Sequence, residues 1–146
     1  MNRLFKKLVA ILILNLVPFA FATAHATGDE TVASAQTVIE RQIQAFLQDD
    51  ALTAYSFAAP SIQSLYPDPA RFFDMVKRGY APVYRPSSYS FGRGKSAPDG
   101  STVIQEVLIS DEEGQDWTAV YVLERQVDGS FKITGVRMRK SASQQI

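Results

Sequence analysis

The sequence predicts an α+β fold of about three N-terminal helices packed on a curved antiparallel sheet of about four strands. Two observations carry this. Apolar residues recur at helical spacing as far as Gly79, and beyond it the chain turns to segments rich in Val, Ile, Tyr and Trp separated by turn residues. Helices first and strands after, rather than the two alternating, is the order in which a helical layer covers one face of a sheet. A helical layer laid across a curled sheet leaves a cavity at its open end.

The elements follow in order behind an export signal. Met1 to Lys7 carries Arg3, Lys6 and Lys7 without an acid, Leu8 to Ala22 is almost wholly apolar, and Ala24-His25-Ala26 supplies small residues at both cleavage subsites. The expected cut lies between Ala26 and Thr27; Ala20-Phe21-Ala22 and Ala22-Thr23-Ala24 satisfy the same rule and offer earlier ones. Asn15 and Pro18 interrupt the apolar run and no basic cluster follows it, so cleavage is expected to leave no stable membrane anchor. The expected location is the periplasm or the medium. Residues 27–139 are then one domain, and 140–146 a polar tail.

In the mature chain, Val32, Ala35, Ile39, Ile43, Phe46 and Leu47 mark a helix burying one stripe. Asp50 suits the cap of a short second helix with Leu52, Tyr55 and Ala59 on one face, which Pro60 ends. A turn from Ser61 to Tyr66 leads to Asp68-Pro69, cap and first residue of a third helix carrying Phe72, Phe73 and Val76 inward and closed by Gly79 in a left-handed cap. Pro82 and Pro86 favour extended backbone, so Tyr80 to Arg85 reads as a lead into a strand near Ser87 to Phe91. Thr102 to Ser110 and Asp116 to Gln126 read as a hairpin, and Asp128-Gly129 as the turn into a fourth strand, Phe131 to Met138.

Composition excludes several chemistries. The chain has no cysteine, and its one histidine, His25, lies in the export signal. A mature domain without either residue has no Ser-His-Asp or Cys-His machinery and no imidazole or thiolate metal site. Asp111-Glu112-Glu113-Gly114-Gln115-Asp116 lacks the spacing of a calcium loop and reads as a solvated turn, so neither a metal nor a cofactor is expected. Losing three basic residues with the signal leaves 12 basic against 15 acidic, a net charge of −3, which gives no reason to expect nucleic acid as a partner.

The runs Leu65-Tyr66-Pro67, Phe72 with Met75-Val76, and Arg78-Gly79-Tyr80-Ala81-Pro82-Val83-Tyr84-Arg85-Pro86 resemble an uncharacterised bacterial family, domain of unknown function 4864. So do Trp117, Tyr121-Val122-Leu123-Glu124-Arg125, Asp128-Gly129 and Gly135-Val136. The likeness extends from Val38 to Met138, and the Gly-Tyr-x-Pro-Val-Tyr-Arg-Pro run is its specific part. In its order of elements the chain also resembles the nuclear transport factor 2-like, cystatin-related α+β cones. That wider resemblance implies a fold and not an activity, since its members include isomerases, dehydratases, hydrolases, ligand binders and dimerisation modules.

Tyr80, Tyr84 and Arg85 stand at the helix-to-strand junction, where a cone would have its mouth, and Arg78 lies one helical turn from Asp74. Two phenols and a guanidinium there suit a carboxylate or another anion. The same residues also suit plain packing, with the tyrosines on the core and Arg85 stacked on a ring. Residues 71–95 carry a net charge of +5, in keeping with an anionic ligand or with a surface mesh of ion pairs. Trp117, Tyr121 and Arg125 alternate along one face of their strand and Val120, Val122 and Glu124 along the other, so a homodimer through the sheet is expected.

Two functional readings follow. The first is a non-enzymatic module that binds a small apolar or anionic molecule through Arg78, Tyr80, Tyr84, Arg85, Trp117 and Tyr121, or that docks through its sheet. The second is an isomerase, dehydratase or hydrolase with a carboxylate base, for which Asp74, Glu106 and Glu124 are the candidates. It requires one of these acids buried beside a tyrosine hydroxyl.

Overall fold

The computed structural model describes residues 24–142. The predicted leader up to residue 23 and the last four residues of the predicted tail lie outside that range. Helix α1, Ala24–Leu47, spans the proposed cleavage junction and buries Ala35, Ile39, Gln42, Ile43 and Phe46, a stripe at helical spacing with one polar member.

The end of α1 is an αL cap. Asp50 N–H bonds the Ala45 carbonyl and Asp49 N–H bonds that of Phe46, the paired closure of a Schellman motif, with Asp49 at φ 54° where glycine is the usual residue. Asp50 then caps α2, Ala51–Ser56, by accepting from Thr53 N–H at 3.0 Å. Within α2 the buried residue is Ala54. Leu52, expected on the core side, is 72% exposed because two helical steps carry it to the far side of so short a helix.

Three local expectations are corrected. Residues expected to form a turn are helix α3, Pro60–Leu65, where Pro60 sits in the first turn and its missing N–H costs nothing. In α4, Pro69–Gly79, capped by Asp68 and burying Phe72, Phe73 and Val76 as predicted, Gly79 is the last helical residue and not a left-handed cap. The expected extended lead is helix α5, Ala81–Tyr84, with Pro82 again in the first turn and Arg85 N–H closing on the Ala81 carbonyl.

Four strands, β1 (Ser88–Ser96), β2 (Thr102–Ser110), β3 (Asp116–Arg125) and β4 (Phe131–Lys140), form an antiparallel meander in the order β1-β2-β3-β4. The registers Gln105↔Tyr121 and Tyr121↔Val136 place Val103, Gln105, Val107, Ile109, Ala119, Tyr121 and Leu123 on the face under the helices. Gln105 is fully buried there. It accepts from Gln36 at 3.0 Å and donates to the Gly92 carbonyl at 3.1 Å and the Glu106 carbonyl at 2.8 Å, fastening the β1 bulge between Phe91 and Gly94. Part of the β4 edge is covered by residues 57–59, where Ala59 N–H bonds the Ile133 carbonyl and Ile133 N–H bonds that of Phe57. No helix among the described residues is long and apolar enough to cross a membrane.

Candidate functional site

The junction residues do converge, though on a partner from their own chain. Arg85 Nη2 lies 2.8 Å from Asp49 Oδ2, Arg85 Nη1 donates to the Phe46 carbonyl, and the Tyr84 hydroxyl donates to Asp49 Oδ1. The guanidinium also stacks on the Tyr84 ring, 4.1 Å from its centroid. The hydrogen bond from Tyr84, aided by the charge of Arg85, holds the Asp49 carboxyl below the ordinary range, and the same hydrogen bond raises the Tyr84 phenol. Phe73 meets Tyr84 edge to face at 5.6 Å, which ties this cluster to the core. Arg85 and Tyr84 are thus occupied in clasping the end of α1.

The carboxylates expected to serve as a base lie elsewhere. Asp74 and Arg78 are exposed on α4 and form no ion pair with each other, and Glu124 is exposed at the end of β3. Glu106 is on the outer face of the sheet, where Arg93 donates to both its oxygens at 3.2 and 3.1 Å and Arg139 approaches at 3.4 Å. The hydrogen bonds from Arg93 lower its carboxyl, the opposite of what a base poised near neutrality needs. Asp49, the acid within reach of a tyrosine, has a side chain 58% exposed.

The remaining predicted residues are dispersed along β3. Trp117 is half-buried, its Nε1–H donating to Asp111 Oδ2 at 2.8 Å, while the Asp111 carboxylate also accepts from the N–H groups of Glu113 and Gln115. Tyr121 is fully buried, its hydroxyl is the sealed side-chain oxygen without a partner among the described residues, and burial raises its phenol strongly. Arg125 donates to the Gly100 and Gly129 carbonyls and stacks on Phe131.

Between the helices and β4 lies a cavity of about 150 Å3. Phe46 and Gln42 of α1, Ile62 of α3, Phe72, Met75 and Val76 of α4, Val83 of α5, and Ile133 and Val136 of β4 border it, with Ala58, Tyr80 and Gly135 completing the wall. Ile62, Met75, Tyr80 and Val136 are half-buried and form its rim. Of the predicted binding residues, Tyr80 alone borders this space. No carboxylate or guanidinium does. A wider hollow of about 780 Å3 beside Lys95, Pro98 and Asp99 is bounded largely by an exposed turn.

Gln42 is the nearly buried polar residue of the cavity wall, 4% exposed, and the half-buried Tyr80 is a second polar member of that wall. Gln42 Nε2 donates to the Ala54 carbonyl at 3.1 Å, and its Oε1 has no hydrogen-bond partner among the described residues. Since the sealed and unpartnered oxygen among the described residues is that of Tyr121, Oε1 of Gln42 keeps some exposure, and Gln42 itself borders the cavity. Sequence reasoning missed Gln42. The signal was its place in the stripe, three residues after Ile39 and four before Phe46, where a polar side chain must turn inward.

A family described as Domain of unknown function (DUF4864) has a model that matches residues 29–146. No curated protein and no solved structure matches the chain.

Proposed function

The chain belongs to this family of unknown function, and on that premise we propose that it is a small exported domain that binds a small, mostly apolar molecule in the cavity between its helical layer and β4. The observation that carries the reading is the cavity itself: about 150 Å3 of space walled by Phe, Ile, Val and Met at the edge of the hydrophobic core. A molecule that enters it removes apolar wall from water, and each Å2 so covered contributes about 25 cal/mol. Helices laid over one face of a meander also support the nuclear transport factor 2-like reading of the fold. The export signal of residues 1–26 supports a periplasmic or secreted site of action.

A thermal-shift screen of the mature domain against small apolar metabolites tests the reading, with Val136→Phe as the filled control. A ligand at 100 times its dissociation constant stabilises by about 2.7 kcal/mol. The expected result is a set of hits for the parent protein that vanish in Val136→Phe while that variant stays folded. Hits that persist in the filled variant place binding elsewhere and overturn the reading.

The outer face of the sheet supports a second role, self-association. Ile104 and Leu108, exposed at 49% and 46%, lie beside Val120 and Val122, an apolar strip that a second copy would cover. Arg93, Arg137 and Arg139 flank the strip and outnumber the acids Glu106 and Glu124 of the same face, so two such faces bring like charges together. Association through this face is therefore expected to be weak and salt-dependent.

A further inference from the structure

Resting on the cavity reading, we infer that the ligand is a neutral molecule of about one six-membered ring that donates a single hydrogen bond, as a phenol or a cyclic alcohol does, to Gln42 Oε1. Three observations fix that class. The volume of about 150 Å3 sets the size of the part that enters: an apolar space of that order holds one benzene-sized body. The carbonyl oxygen of this nearly buried amide has no partner among the described residues and is an acceptor, so a ligand that meets it brings the donor. Among the described residues no guanidinium or ammonium borders the wall, and Phe46, Phe72 and Val76 line the same space as Gln42, which leaves nothing to offset the burial of an anion. The basic residues of 71–95, which suggested an anionic ligand, do not reach this space: Arg85 is held by Asp49, and Arg78 is exposed.

Gln42 is held ready for this task. Its amide is anchored at one end by the Ala54 carbonyl, so Oε1 is fixed before any ligand arrives, and the ordering cost of binding is correspondingly small. The anchor is also dispensable, because the Ala54 carbonyl accepts a second hydrogen bond from Phe57 N–H at 3.4 Å. Gln42→Leu, close in volume, therefore removes the acceptor without leaving that carbonyl bare.

The test is titration of the mature domain and of Gln42→Leu with phenol, toluene and benzoate, followed by calorimetry. Phenol and toluene differ in their transfer from water, so the reading is the change in the ratio of their dissociation constants between the two proteins. The ratio is expected to shift against phenol by about five- to tenfold in Gln42→Leu, the worth of one hydrogen bond. Benzoate is expected not to bind either protein. As a second measurement on the unaltered domain, the Gln42 side-chain amide resonances move with phenol and stay in place with toluene at equal occupancy. An unchanged ratio, an amide indifferent to phenol, or benzoate binding more tightly than phenol overturns the inference while leaving the cavity reading intact. Binding of none of the three overturns both.

Discussion

Arg85 reaches across the end of α1 to Asp49, with Nη2 and Oδ2 2.8 Å apart, and the same guanidinium donates to the Phe46 carbonyl inside the helix. Asp49 occupies the left-handed position of the cap at φ 54°, so the clasp holds in place a conformation that a residue with a Cβ adopts reluctantly. Through Phe46 the clasp also bears on the cavity wall. Arg85→Ala is expected to destabilise the domain by about 1 to 2 kcal/mol, or roughly 4 to 8 °C in Tm. Arg85→Lys restores little, since a point charge cannot serve a carboxylate and a backbone carbonyl together. Urea unfolding of both variants checks this, and a neutral Arg85→Ala contradicts it.

Acid should weaken the fold by a route that begins at the same cluster. The carboxyls of Asp49, Glu106 and Asp111 are all lowered in the folded chain, foremost by hydrogen bonds from Tyr84, Arg93 and Trp117 respectively. A carboxyl whose folded pKa lies below its unfolded value adds stability that is complete above the unfolded value and is lost as pH falls through the folded one. Tm measured from pH 7 downwards is therefore expected to hold level to the ordinary carboxylate range and to fall below it. Asp49→Asn, which tolerates the left-handed backbone and carries no titrating group, should flatten that fall.

How far the sequence disclosed this arrangement depends on what each signal measures. Periodicity found the buried stripes of α1 and α4 and all four strands, because burial repeats along an element. Proline misled at both Pro60 and Pro82, each taken for a break or an extended lead, although each sits in a first helical turn where a missing N–H does no harm. Tyr84 and Arg85 were recognisable as a pair. Their partner was not, since Asp49 read only as the residue that ended a helical pattern, and it lies 36 positions from Arg85 in sequence while meeting it in space. Gln42 was hidden by its chemistry, because a search for charged and phenolic groups passes over a lone amide in an apolar stripe.

Gly94 is expected to tolerate no side chain. A Cβ built there falls 2.3 Å from Gln105 Oε1 and 2.6 Å from Val32 Cγ1, so Gly94→Ala would press on the amide that fastens the β1 bulge. Overpacking of this kind costs about 1 to 3 kcal/mol. Gly114→Ala is no fair comparison because its φ is 79°; Gly79→Ala, on an open helix end with nothing nearby, should be neutral or mildly stabilising. Thermal unfolding of Gly94→Ala and Gly79→Ala should separate them in that order.

Association through the outer sheet face carries its own signature. Apolar contact at Ile104 and Leu108 draws two copies together, and the guanidiniums of Arg93, Arg137 and Arg139 oppose it. Screening should then favour the dimer, so its dissociation constant is expected to fall as salt rises, and Arg137→Glu should tighten it at low salt. Sedimentation equilibrium at tens of micromolar checks both. A monomer at every ionic strength excludes this face as a self-contact.

The cavity is the centre of the account, and Met75 on its rim reports on it directly. The chain has three methionines; Met75 borders the cavity, while Met138 packs on the core and is not among the cavity's lining residues. With the methionine methyl groups labelled with carbon-13, titration of the mature domain with phenol is predicted to move the Met75 resonance along a saturable curve and leave that of Met138 in place. A Met75 resonance that stays fixed through saturating phenol, or that moves no more than Met138, would contradict the assignment of this cavity as the binding site.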